Sequence, residues 1–205
     1  MIKAYKYRLY PRENQLSLLN QHIGSARFIY NWGLSIKIKE YTVNKKNLSK
    51  FDLMNMLPEL KKELSWLRNV NSQTLQKSLE NLDSVYVRFF REKKGFPKFK
   101  SKKRSRQSFQ VMQNVSIDFE KWELYIPKFK QGIPLVKDRI CKFLIKQATI
   151  SKSSSGKWFV SILFDDNKKL PDKPKIVDKK TVGIDLGVSN FLTLSCGTKI
   201  DNPKV

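Results

Sequence analysis

The spacing of apolar residues changes once along the chain, near residue 95, and this change constrains the fold most. From Arg12 to about Tyr41, and again from Ser72 to Arg91, apolar residues recur every three or four positions, as in amphipathic helices. Gly95 and Pro97 interrupt that spacing. Beyond them, short runs of β-branched and aromatic residues predict strands. The sequence therefore predicts an α+β fold in which helices and most strands are separated along the chain.

The helical part of the chain contains three predicted helices. Gly24 weakens the middle of the first helix, from Arg12 to about Tyr41, and leaves open that it splits in two. Ser49, with Asp52 three residues later, resembles a capping pair for a short second helix that is expected to end near Pro58.

The third predicted helix, from Ser72 to Arg91, is the most regular of the three. Its apolar stripe consists of Leu75, Leu79, Leu82, Tyr86 and Phe89. Because such stripes are buried only against one another, the three helices predict a helical lobe from about residue 12 to 92.

Segments before and after this lobe have the residue patterns of β-strands, and together they predict an antiparallel sheet. Residues 2–10 predict a strand with a basic outer face, on which Lys3, Lys6 and Arg8 are expected to lie on one side. Four further strands are predicted at Val115–Phe119, Glu123–Ile126, Phe143–Ile150 and Trp158–Phe164. Ser153–Gly156 is typical of a hairpin connection. We expect a small antiparallel sheet or barrel, completed by the N-terminal strand, with the helical lobe inserted into it.

The charge of the chain indicates a polyanionic partner. Its 41 Lys and Arg residues against 18 Asp and Glu residues give a net charge of +23. Compact folding brings these like charges close together, and a polyanionic partner relieves their repulsion. Nucleic acid is the leading candidate, and membrane binding is disfavoured because no apolar run approaches the roughly 20 residues of a spanning helix. The first residues lack a secretory pattern, so a cytoplasmic location is expected.

The most basic stretch, from Arg91 to Arg106, holds nine Lys or Arg residues and one acid, Glu92. Such a run is often only a solvated surface, but here phenylalanines are interleaved with the cations. Cations neutralise phosphates and aromatic rings stack on bases, so the combination favours nucleic-acid binding. The candidate binding residues are Lys3, Lys6, Arg8, Arg27, Lys93, Lys94, Lys98, Lys100, Lys102, Lys103, Arg104, Arg106, Phe96 and Phe99.

Asp185 is the strongest single candidate for a catalytic or ligand-binding residue. It lies inside the apolar run Gly183–Gly187, where an ionised carboxylate needs a metal, a cation or hydrogen bonds. A turn aspartate, an RNase H-type Mg²⁺ ligand and the phosphate loop of an actin-like ATPase all fit this pattern. Two-metal cleavage needs several carboxylates, and Asp201 is the only acid after Asp185.

The cysteines do not form a zinc motif. Cys141 and Cys196 stand far apart and His22 is the only histidine, so no zinc site is expected and both thiols are expected to be buried. We assign no role to His22.

Several short motifs, in order, give the chain a close resemblance to the N-terminal half of OrfB/TnpB-type insertion-sequence proteins, which are RNA-guided nucleases. The motifs are Lys3–Pro11, Ala26–Trp32, Asn71–Gln76, Gly95–Ser101, Gln107–Phe109 and Gly183–Val188. The resemblance implies a wedge-like β-barrel (1–11 and 107–170), a helical recognition lobe with the basic tract (12–106), a linker (171–180) and the first strands of a RuvC-like domain (181–205).

The same resemblance implies a function. It implies binding of a guide RNA and of target DNA, with base pairing providing most of the sequence recognition. Asp185 matches the first catalytic carboxylate of the RuvC-like site, which binds Mg²⁺ in the complete family site. Because the second and third acids and the cysteines of a zinc element have no match here, we expect a truncated binder that does not cleave alone. The alternative is a Mg²⁺-dependent endonuclease completed by a separately encoded C-terminal part, so whether the chain is itself an enzyme stays open.

Overall fold

The computed structural model describes residues 1–169, 172, 176–177 and 181–203. The chain forms two compact units, Met1–Lys168 and Lys169–Val205. The predicted linker 171–180 lies mostly outside the described residues.

The first unit is built on a four-stranded antiparallel sheet. From one edge to the other, its strands are β1 (Ile2–Leu9), β7 (Trp158–Asp165), β6 (Leu144–Lys152) and β2 (Gln107–Val111). Every residue of β1 pairs with β7, so the N-terminal strand joins the sheet as predicted. The hairpin between β6 and β7 turns at Gly156, whose φ of 77° favours glycine.

A second antiparallel sheet lies beside the first. It contains β3 (Ser116–Asp118), β4 (Glu123–Tyr125) and β5 (Ile133–Pro134) in sequence order. One bridge between Leu9 and Leu135 links it to β1. Among the described residues no backbone pairing closes the two sheets into a barrel, so the antiparallel β fold is confirmed and the barrel is not observed.

A single helix, α1 (Glu13–Asn44), connects the β part to the helical part. Its first half packs Leu19, Ile23 and Ala26 into the core formed by the two sheets. Its second half packs into a separate, helical core. The helix does not split at Gly24, because a glycine in a helix costs only about 1 kcal/mol relative to alanine and the flanking residues are held by burial.

Two further helices complete the helical core. Helix α2 (Lys50–Glu63) begins at the predicted cap, where Ser49 Oγ accepts from Asp52 N at 3.2 Å. It continues through Pro58 to Glu63, so the predicted end is wrong. Proline removes one backbone hydrogen bond, but Leu57 and Leu60 on either side are buried in the helical core and hold the turn in place.

Helix α3 (Ser72–Glu92) confirms the third prediction and follows a short 3-10 helix, Ser65–Asn69. Its Leu75, Leu79 and Leu82 are fully buried. It crosses α1 at Gly33, where an added Cβ would lie 2.7 Å from Leu79 Cδ2. The glycine therefore permits the close helix crossing.

The single histidine ties the two cores together. His22 is fully buried, its Nδ1 donates to Leu18 O at 2.8 Å, and its Nε2 accepts from Asn71 N at 3.1 Å. Because Leu18 O only accepts and Asn71 N only donates, the ring is neutral with its proton on Nδ1. Burial, with a smaller effect from nearby Lys128, lowers the pKa of His22. The histidine thus fixes the start of α3 against α1.

The second unit contains a small antiparallel sheet of β8 (Ile184–Asp185), β9 (Asn190–Leu194) and β10 (Lys199–Asp201). The predicted strand, turn and strand are therefore confirmed. The exposed apolar residues of this sheet and of the segments next to its strands are Val182, Ile184, Leu186, Val188, Phe191 and Ile200. Cys196 is exposed, so the prediction of two buried thiols holds only for Cys141.

Candidate nucleic-acid interface

The outer face of the four-stranded sheet carries two rows of side chains that run across the strands. The strand register gives the rows Lys6, Ser161, Thr149, Gln110 and Arg8, Phe159, Ser151, Ser108. The opposite face holds the apolar residues of the core, because side chains alternate along each strand. The outer face therefore presents two cations, one aromatic ring and several hydroxyl and amide groups.

The two cations of this face lie close to its aromatic ring. Lys6 Nζ lies 4.3 Å from the ring centroid of Phe159, and Arg8 Cζ lies 5.0 Å from it. Arg8 also lies 5.2 Å from the ring of Tyr10. Cations at these distances are attracted to the ring face, so the ring holds positive charge at the edge of the sheet.

The most basic part of the chain forms a turn beside this face. Two serine hydroxyls shape it: Arg104 N donates to Ser101 Oγ at 3.0 Å and Ser101 N donates to Ser105 Oγ at 2.9 Å. The side chains of Lys102, Lys103 and Arg104 are exposed. The hydroxyls satisfy backbone amides, so the turn is ordered while its cations stay in solvent.

Polar side chains of α1 anchor both ends of this turn. Asn31 accepts from Lys100 N at 2.8 Å and donates to Lys100 O at 2.9 Å. Arg27 Nη1 donates to Gln107 Oε1 at 3.1 Å. Lys100 Nζ lies 3.9 Å from the ring centroid of Tyr30, and burial lowers the pKa of this lysine. Lys100 therefore packs against α1 while the residues after it face solvent.

The turn and the outer sheet face enclose a groove of about 710 Å³, which we call the basic groove. It is lined by Lys6, Asn20, Lys102, Lys103, Arg104, Ser105, Arg106, Gln107, Ser151, Lys152, Ser153, Ser154 and Phe159. Six of these residues are cations and, within the described part of the chain, none of the lining residues is acidic. None of the six forms an ion pair with a described carboxylate.

A second, more enclosed cavity of about 320 Å³ lies between α1, α3 and the sheet. Arg27, Lys77, Lys100 and Arg106 line it together with serine, threonine and amide side chains. Lys77 is neutralised by Glu80, whose Oε2 lies 2.8 Å away. Arg106 lines both this cavity and the basic groove, so the two are neighbours.

Lys3 does not lie on the side of β1 that the sequence predicts for it. Side chains alternate along a strand, so Lys3 shares a face with Tyr5 and Tyr7 and lies opposite Lys6 and Arg8. Its Nζ lies 2.9 Å from Asp166 Oδ2. Hydrogen bonds from the Met1 amine and from Lys3 lower the pKa of Asp166. The charge of Lys3 is therefore compensated within the protein.

The other predicted residues lie at the end of α3, away from the basic groove. Lys94 pairs with Glu92 at 2.8 Å, and Phe96 packs edge-on against Tyr86 and Phe89. Lys93, Lys98 and Phe99 are exposed. The structure thus brings five predicted residues together in the basic groove: Lys6, Lys102, Lys103, Arg104 and Arg106. Arg8 lies beside Phe159, which also lines the groove. Lys93, Lys94, Phe96, Lys98 and Phe99 do not line it.

Of the cationic and aromatic residues that line the groove, two, Lys152 and Phe159, are not among the predicted binding residues. The signal for Phe159 is present in the sequence, since it is a large apolar residue at the outward position of an alternating strand. Lys152 ends β6 and depends on the hairpin to reach the groove.

Asp185 lies in the second unit, in register with Thr193. It is exposed, and among the described residues no group of three or more acidic, histidine or cysteine side chains is placed to hold a metal ion. The Mg²⁺ site that the resemblance implies for the complete family protein therefore stays a prediction. Likewise, no helix in the described part of the chain combines the length and apolarity needed to cross a bilayer.

Comparison with known proteins identifies relatives over nearly the whole chain. A family model described as a helix-turn-helix domain, HTH_OrfB_IS605, matches residues 1–46. The chain is 31% identical over 209 residues to a "Putative RNA-guided DNA endonuclease" of Streptomyces pristinaespiralis, covering 98% of this chain and 50% of that protein. It is 31% identical over 199 residues to "Putative RNA-guided DNA endonuclease InsQ" of Escherichia coli (strain K12), covering 96% and 48%. The chain thus spans about half the length of these two relatives.

A shorter relative is covered almost completely. "Virulence protein VsdF" of Salmonella dublin is 32% identical over 113 residues, which is 50% of this chain and 95% of that protein.

Two solved structures are also similar. They are a Cas12f1-sgRNA-target DNA complex (TM-score 0.45, 15% identity, 99% of this chain and 57% of that one) and a CRISPR-Cas12f ternary complex (TM-score 0.49, 13% identity, 92% and 49%). Scores of this size do not establish a shared fold. The family-model match and the curated relatives, together with the motifs, show that the chain belongs to the OrfB/TnpB family of insertion-sequence proteins.

Proposed function

We propose that this chain binds nucleic acid through the basic groove. The observation that carries the proposal is the convergence of six cations, without a described acidic partner, in one groove that Phe159 also lines. Like charges held together in a folded protein repel one another, and a polyanion relieves that repulsion. Lysine and arginine contact phosphates, while an aromatic ring between them can stack on a base.

The ligands we propose are a guide RNA and the target DNA that pairs with it. Two relatives are named RNA-guided DNA endonucleases, which supports this choice. In such a system the protein holds backbones while base pairing reads the sequence. The outer sheet face suits that task, because its serine, threonine and amide groups can bond to phosphate and sugar oxygens without selecting a base.

A salt titration tests the proposal. Fluorescence anisotropy with a labelled structured RNA and with a DNA duplex, at salt concentrations from 50 to 400 mM, is expected to show binding that weakens steeply with salt. If six cations each contact a phosphate, the slope of log K against log salt for duplex is about −5. No binding at 50 mM, or affinity independent of salt, would show that the groove is only a solvated surface.

A second candidate function is a DNA endonuclease that works only with a separately encoded C-terminal part. We propose residues 181–203 as the first strands of a RuvC-like domain, and the two sheets of the first unit as a wedge-like domain. The observation in favour is the apolar surface of the small sheet around Asp185, which a completing segment would cover. Burying apolar area of this kind stabilises an association.

Cleavage measured with that part present separates the two candidates. Under the second function, Asp185→Asn abolishes cutting of a guide-matched DNA and leaves affinity for RNA unchanged. Equal cutting by Asp185→Asn and the unmodified chain would contradict it, as would a failure of the two parts to associate.

A further inference from the structure

An aromatic groove lies at the far end of the helical core, formed by the last turns of α1 and α3 and the segment after α3. It measures about 500 Å³ and is lined by Lys37, Ile38, Tyr41, Thr42, Asn47, Tyr86, Phe89, Phe90 and Phe96. Five of these nine residues are aromatic. None of the lining residues, all of them in the described part of the chain, is acidic. The basic groove shares none of them.

Four of the five rings of this aromatic groove, those of Tyr86, Phe89, Phe90 and Phe96, form one connected cluster that remains open to solvent. Phe90 lies 5.0 Å from Phe89 and 6.3 Å from Tyr86, measured between ring centroids, and Phe96 lies 5.4 Å from Phe89. Phe90 is nevertheless 68% exposed and Tyr41 60% exposed. Large aromatic side chains held by neighbours yet left in water mark a binding surface more often than a core.

Lysine ammonium groups lie over two of these rings, those of Tyr41 and Tyr86. Lys45 Nζ lies 5.7 Å from the ring centroid of Tyr41, and Lys46 adjoins Asn47 in sequence. Arg91 and Lys93 follow Phe90 and are exposed. None of these four cations forms an ion pair with a described carboxylate. The occupant must therefore combine flat apolar faces with negative charge.

We propose that the aromatic groove binds unpaired nucleobases of a single-stranded nucleic acid, separately from the backbone contacts of the basic groove. The proposal rests on the nucleic-acid binding proposed above. Base faces are available for stacking only where bases are unpaired, because a duplex stacks them on one another. Stacked aromatic side chains with nearby cations are the usual means of holding such bases. A second copy of this chain is a poor occupant, because each copy carries a net charge of +23.

Phe90→Ala tests the proposal, since Phe90 is mostly exposed and its loss should leave the fold intact. We expect affinity for a labelled twelve-nucleotide thymidine strand to fall about tenfold, within the range measured for loss of one stacking ring. Affinity for a blunt DNA duplex should change less than about twofold. The salt slope should not change, because no cation is removed. Phe90→Trp should restore single-strand affinity.

The control is Val87→Ala, which removes another exposed apolar side chain of α3 that does not line the groove. It should leave both affinities unchanged. If Phe90→Ala lowers the affinities for duplex and for single strand equally, or lowers neither, the proposal that the aromatic groove binds bases is wrong. Salt-dependent binding by the unmodified chain would still support the basic groove. If instead sedimentation shows self-association that Phe90→Ala abolishes, the occupant is a second copy and the proposal is wrong.

Discussion

Replacing four of the six cations of the basic groove with glutamine is expected to lower affinity for duplex DNA by about 1,000-fold or more at 0.1 M salt. The residues are Lys102, Lys103, Arg104 and Arg106. If each contacts one phosphate, their loss reduces the slope of log K against log salt by about 3.6. The binding curves of the variant and the unmodified chain should therefore converge as salt approaches 1 M. Anisotropy titrations at five or more salt concentrations measure both slopes.

A matched control separates a local interface from a general effect of charge. Lys121, Lys130, Lys137 and Lys142 are exposed and do not line the basic groove. Replacing these four with glutamine removes the same net charge, and should change the slope by less than one. Equal losses in the two variants would mean that the chain binds through its overall charge, and the basic groove would lose its special role.

Acidification from pH 7 to pH 5 is expected to lower the free energy of unfolding through His22. Its pKa in the folded chain lies below the ordinary value of 6.5, chiefly because the ring is buried. The unfolded chain therefore binds more protons as the pH falls below about 6.5, and stability decreases from there down to the folded-state pKa. The slope is at most about 1.4 kcal/mol per pH unit. Protonation also removes the acceptor for Asn71 N, so the start of α3 loses its bond to α1.

Chemical denaturation at several pH values measures this effect, and His22→Gln is its control. Glutamine does not titrate, so the decrease between pH 6.5 and pH 5 should disappear. Several carboxyls also have a pKa that is lowered in the folded chain, among them Asp52 and Glu123. Their stabilisation is lost only below their ordinary values of 3.8 and 4.5, outside this window. A slope in His22→Gln equal to that of the unmodified chain would contradict the assignment to His22.

Local sequence patterns predicted most elements but misjudged where some end. The apolar stripe of α3 and the capping pair at Ser49 identified their helices, because both signals are local. Gly24 and Pro58 are local signals too, yet neither breaks its helix. Each costs a limited amount of free energy, and burial of neighbours such as Ile23 and Leu57 outweighs it. The sequence alone does not show how much burial each helix receives.

The candidate binding residues, too, could be predicted only in part from the sequence. The density of cations from Arg91 to Arg106, and the family motifs, were evident from the sequence alone, because charge and motif order need no coordinates. Only the tertiary structure decided which of these cations lie together in one groove. The pairing of β1 with β7 and β6 with β7 brings Lys6, Phe159 and Lys152 beside the turn, across more than 140 residues of chain. The same packing directs Lys3 to Asp166 and Lys100 to Tyr30.

The sequence by itself therefore determined the α+β class, the family and the expectation of a polyanionic partner, all of which depend on local spacing, motif order or total charge. The tertiary structure decided the shape of the interface, because strand register and helix packing join residues that are distant in sequence. His22 shows the difference best. A lone histidine carries no signal in the sequence, but two hydrogen bonds and complete burial make it the link between the two cores.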